Sequence, residues 1–162
     1  MKRNILFVLL ISVLLTSCNQ NEQIIYSAPT NVQITDYIYS NSLDIQDSVW
    51  IKDAVIILLE NSLISLYTDE HEKVYDHKLS WGSNATEPVI VGNGVPYVAI
   101  ILNDKLLSLG AERILITYTN GKPYLRGITK KKGYLISNTE SNEIDNIIIF
   151  DKDDNELYKK RK

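Results

Sequence analysis

One cysteine in 162 residues, at position 18, leaves no partner for a disulfide and no set of thiolates for a structural metal. Packing alone must hold such a chain folded. No apolar stretch reaches the roughly 20 residues that a spanning helix requires. The longest, over residues 5–15, is broken by Ser12. Basic residues are not in excess either: 17 Lys and Arg against 20 Asp and Glu give a formal charge of −3, which argues against nucleic acid as a partner. The usual nucleophile and phosphate motifs are missing as well, with no G-x-S-x-G elbow, no S-x-x-K and no Walker-type loop. Phenylalanine is scarce, two residues against ten Tyr and two Trp. A tyrosine-rich, phenylalanine-poor chain suits half-exposed sheet faces and binding surfaces, because the ring is apolar and its tip polar. The same residues also fill strand positions through propensity alone.

What is present begins at the N-terminus. Lys2 and Arg3 precede the apolar run, and the small residues Thr16 and Ser17 follow it, the order of a secretory signal. Leu15-Thr16-Ser17-Cys18 resembles the lipobox of bacterial lipoproteins. That resemblance covers about the first twenty residues. It implies a diacylglycerol on the Cys18 thiol, cleavage between Ser17 and Cys18, and acylation of the new amine. Cys18 would then be residue one of the mature protein. Each buried CH₂ contributes about 0.8 kcal/mol, so two or three acyl chains anchor durably where one would not. Loss of Lys2 and Arg3 with the signal takes the formal charge from −3 to −5. Asn19 stands where an aspartate would imply inner-membrane retention, so the resemblance implies the outer membrane in a cell that has one.

The expected organisation is a signal over residues 1–17, a lipidated Cys18 with a tether to residue 30, and one β-rich domain over 31–162. Residues 31–40 alternate, with Val32, Ile34 and Ile38 against Gln33, Thr35, Tyr37 and Tyr39, and predict a half-buried strand. Val55-Ile56-Ile57-Leu58-Leu59 has no polar face and predicts a central strand, with a helix over 47–61 as the alternative. Strands follow over 63–68 and 73–80, joined by the acidic tip Asp69-Glu70-His71-Glu72, and then over 89–91 and 96–102. Asn103-Asp104 predicts either a hairpin turn or the cap of a short helix stopped by Gly110. Asn120-Gly121 suits a type I′ turn, a two-residue loop that would pair Thr117 with Tyr124 and Leu115 with Arg126. Strands over 134–137, 146–150 and 156–159 complete the chain. The fold class is therefore mainly β, a small antiparallel barrel or sandwich with one short helix, or else α+β.

Candidate chemistry is thin. Asp69, Glu70, His71, Glu72, Asp76 and His77 form the one cluster of metal-ligand types, but six residues along a strand separate the histidines by about 20 Å. A solvated hairpin tip is the expectation, with no metal and no cofactor. Asp151, Asp153 and Asn155 match the first ligands of a calcium loop, yet Glu156 takes its glycine position. Asn84-Ala85-Thr86 fits a glycosylation sequon that carries no weight in a bacterial lipoprotein. The expected function is non-catalytic: an envelope lipoprotein, membrane-bound through Cys18, whose domain binds another envelope protein as an accessory or immunity-type inhibitor. The named candidate surface is Leu115, Thr117, Tyr124 and Arg126. Other readings are a small-barrel carrier of an apolar ligand lined by Trp50 or Trp81, and an envelope hydrolase.

Overall fold

A computed structural model of the chain describes residues 25–82, 86–92, 95–129, 131–140 and 143–161. Ser17 and Cys18 lie outside them, as do Asn84 and Ala85 of the sequon. The described residues form eleven strands and two helices. Helix α1 is Asn31–Ser40, followed by β1 (Asp47–Ile51), β2 (Ala54–Leu58), β3 (Ser62–Thr68) and β4 (Val74–Ser80). Then come β5 (Val89–Val91), β6 (Tyr97–Ile101), helix α2 (Asp104–Ser108), β7 (Arg113–Tyr118), β8 (Tyr124–Gly127), β9 (Gly133–Ser137), β10 (Ile144–Phe150) and β11 (Glu156–Arg161). Three antiparallel sheets result, ordered β1-β2-β3-β4, β5-β6-β9 and β11-β10-β7-β8. The mainly β, sandwich-type expectation holds.

The sheets stack in three layers, and the period-2 alternation of strand side chains explains how. Along β6 and β9, Val98, Ile100, Tyr134 and Ile136 meet Ile114 and Ile116 of β7 and Ile147 and Ile149 of β10. Their alternates Ala99, Ile101 and Leu135 meet Ile56, Leu58 and Leu63 of the first sheet. The short β5-β6-β9 sheet is thus the filling, apolar on both faces. Gly133 sets how closely two layers approach. A Cβ there would lie 2.7 Å from Gln46 Cβ and 3.0 Å from both Leu58 Cδ2 and Ile101 Cδ1. At the seam between β9 and β1, side chains replace a backbone ladder: the Leu135 N–H donates to Asp47 Oδ2 at 2.9 Å.

Helix α1 covers the outer face of the first sheet, where Val55, Ile57, Ile64 and Leu66 meet Ile34, Tyr37 and Ile38. The strand expected over 31–40 is therefore corrected to a helix. Ile34, Tyr37 and Ile38 lie at i, i+3 and i+4, and a capping box starts the turn. Gln33 N–H donates to Thr30 Oγ1 and Thr30 N–H to Gln33 Oε1 at 2.8 Å. The 47–61 ambiguity resolves as the β1–β2 hairpin. At the other open position the helix wins: Asn103 Oδ1 accepts from the Leu106 N–H at 2.9 Å, and Gly110 adopts φ 83° just past the end.

The β7–β8 hairpin exists, but its register differs from the expected one. Ile116 pairs with Tyr124, Leu115 with Leu125 and Ile114 with Arg126. Neither Asn120 nor Gly121 is among the described residues with positive φ, so the two-residue type I′ loop does not form. The loop is longer, the pairing slips by one residue, and each side chain of β8 changes face.

Candidate binding surface at the tyrosine end of the first sheet

The expected surface does not assemble as a set. Leu115 and Thr117 lie on one face of β7, while Tyr124 and Arg126 share the face of Ile114 and Ile116. Both β8 residues are exposed at that sheet's edge. Among the described residues, no group of three or more His, Cys, Asp or Glu lies close enough to hold a metal ion.

A better-organised surface lies where the β1–β2 and β3–β4 turns meet. Ser27 forms an isolated antiparallel bridge with Thr68, their N–H and C=O groups exchanging two bonds of 2.9 Å. This clamp places Tyr26 edge-on to Tyr67, ring centroids 4.9 Å apart. Tyr67 stacks on Tyr75 at 5.9 Å, and Lys73 Nζ lies 4.9 Å from the Tyr75 centroid. The domain therefore begins ahead of the expected boundary at 31, because Tyr26, Ser27 and the buried Pro29 already belong to its packed surface. Beside the rings, Ile51, Ala54 and Pro96 help to line a groove of about 390 Å³.

Asp69 fixes the turn beneath the rings. Its carboxylate accepts from the His71 N–H at 2.9 Å, the Lys73 N–H at 3.0 Å and the Tyr75 hydroxyl at 2.9 Å. Burial pushes the Asp69 carboxyl up, but these donors more than offset it and hold the group below the ordinary carboxylate range. The same bond raises the Tyr75 hydroxyl above its usual value. The acidic tip thus spends one carboxylate on its own geometry. Asp151 does the same at the β10–β11 turn, accepting from the Asn155 side chain and from the N–H groups of Asn155 and Asp153. Those bonds, the Asn155 side chain's foremost, hold Asp151 low.

Tyr75 is the second residue of β4, which is the outer strand of its sheet. Seven consecutive residue pairs join β4 to β3 without a bulge, and residues 76–80 are exposed. Among the described strands, β1 and β9 face each other across their seam, and the remaining terminal edges are blunted in ways that discourage added strands. β5 has three residues and follows Pro88, β8 has four and follows Pro123, and β11 carries Lys159, Lys160 and Arg161 beside a register shift. On the face of β4 that α1 covers, Asp76 meets Tyr37, whose hydroxyl is raised by burial and then by that carboxylate.

The two tryptophans part ways. Trp50 is exposed on β1, whereas Trp81 is half-buried and helps to line a cavity of about 440 Å³. Charged side chains share that cavity: Lys132 pairs with Asp104 at 2.8 Å and Glu60 at 3.4 Å, and the Asp104 bond leads in raising the lysine's pKa. Such a lining suits a polar occupant better than an apolar one.

The tyrosine cluster was not singled out from the sequence, although a signal was there. Tyr67 and Tyr75 are equidistant from His71, so a hairpin folded about the acidic tip pairs them, as observed. No family model, curated protein or solved structure matches the chain.

Proposed function

We propose that this chain is a lipid-anchored lipoprotein of the bacterial cell envelope, and that its β-rich domain is a non-catalytic module that binds another envelope protein. The lipobox-like Leu15-Thr16-Ser17-Cys18 supports the anchor. The observation that carries the binding half is the β4 edge: seven regular residues, unpaired on the outer side among the described strands, starting at a tyrosine cluster held in place by Asp69. An extended segment of a partner adds to such an edge through main-chain hydrogen bonds, and its alternate side chains meet Tyr75, His77 and Leu79 on one face. Tyrosines at the start of the edge supply rigid, amphipathic contact area.

Photo-reactive residues at Asp76 and Lys78, with Lys160 of β11 as the control, test this in intact cells. One discrete, mass-identified partner is expected to crosslink from both β4 positions and not from β11. Equal adducts from β4 and β11, or none from β4, would contradict it.

A further inference from the structure

We infer that the end of the domain bearing Ile25, Tyr26 and Trp50 seats on the surface of the lipid bilayer that anchors Cys18. The inference rests on the lipoprotein reading and adds an orientation to it. Ile25 stands seven positions after Cys18, and a chain spans at most about 3.6 Å per residue, so Ile25 lies within about 25 Å of the anchor. A domain of this length has a radius of gyration near 14 Å and is roughly 37 Å across. The tether is shorter than the domain is wide, so the far end cannot face the bilayer.

The Ser27–Thr68 bridge fixes where the chain joins the body, at the turn end of the first sheet. The β1–β2 turn, Lys52-Asp53, is at that same end, because Ile51 pairs with Ala54 and Val55 with Leu66. What this end exposes is interfacial in character: Ile25 is 69% exposed, Trp50 50% and Tyr26 42%. Trp and Tyr favour the headgroup layer, where an apolar ring and a polar tip are both satisfied, and a lysine such as Lys52 extends its charge past them. Lys52 and Lys73 stand among Asp53, Glu70 and Glu72, so the seat does not depend on anionic lipid. Trp81 adjoins the opposite end of β3, where its backbone N–H donates to the Asn61 carbonyl, about 20 Å away along the strand. It is a built-in reference.

The test uses the acylated full chain in phosphatidylcholine vesicles that carry a quencher near the headgroup end of the acyl chain. Trp81→Phe reports Trp50 and Trp50→Phe reports Trp81. The seat requires quenching at Trp50 severalfold stronger than at Trp81, reduced to the Trp81 level by Ile25→Asp with Tyr26→Asp. Flotation of the same vesicles, with and without Cys18→Ala, is read in parallel. Flotation that survives Cys18→Ala, or is absent from the wild type, overturns the anchor and the seat with it. Intact, Cys18-dependent flotation with equal or no quenching at the two tryptophans overturns the seat alone. Trp50 unquenched in lipid but crosslinked to a protein in native membranes also overturns it, in favour of a protein surface.

Discussion

Tyr75 donates its hydroxyl to Asp69 across the β3–β4 turn at 2.9 Å, and this bond ties the shape of an acidic loop to the position of an aromatic cluster. Two backbone N–H groups share the same carboxylate, from His71 and Lys73. The loop's one strained residue, Glu72 at φ 60°, is held between them.

Asp69→Asn is expected to lower the melting temperature at neutral pH, since an amide cannot replace a carboxylate that accepts three bonds. The folded-state pKa of Asp69 is depressed, so its contribution is complete above the unfolded value near about 3.9 and is lost as pH falls through the folded value. The gap between variant and wild type should therefore be wide at pH 7 and close in strong acid. A gap independent of pH would show that Asp69 acts other than as a carboxylate.

Gly133 tests the layered packing. Its missing Cβ lets β9 lie against Gln46 and Leu58, and two of the three atoms that crowd the position, Leu58 Cδ2 and Ile101 Cδ1, belong to the core. Gly133→Ala should cost about 1–3 kcal/mol by overpacking, measured by urea unfolding. An unchanged midpoint would mean that the layers sit further apart than described.

The hairpin register has a direct chemical test. In a Cys18→Ala background, cysteines at Leu115 and Leu125 are directly opposite and should oxidise to a disulfide, read as a loss of two hydrogens in the intact mass. Cysteines at Thr117 and Tyr124 point to opposite faces and should stay reduced. The reverse outcome would restore the two-residue turn.

Legibility in the sequence followed how local the determining contacts are. Val55 to Leu58 read as a central strand because every side chain is apolar, and one face meets α1 while the other meets the β5-β6-β9 sheet. Asn103 and Gly110 marked the ends of α2 through caps that act within a few residues. Helix α1 was missed because Val32, Ile34 and Ile38 suit a strand about as well as a helix. The deciding capping pair, Thr30 and Gln33, straddles the expected domain boundary. The β7–β8 slip arose from one assumption about loop length, to which strand pairing is unforgiving. For the binding surface, ten tyrosines announced aromatic surface but not its place, since Tyr26 meets Tyr67 only through a bridge between residues 41 apart in sequence.

The proposed lipid anchor depends on Cys18, and the mass of the mature N-terminus tests it most directly. Protein purified from membranes of its own host and digested should yield an N-terminal peptide beginning at Cys18, carrying a thioether-linked diacylglycerol and, where the host acylates the amine, one further fatty acid. No such peptide should survive Cys18→Ala. A mature N-terminus at any other residue, or an unmodified Cys18, would contradict the lipid anchor, the envelope assignment and the bilayer seat together.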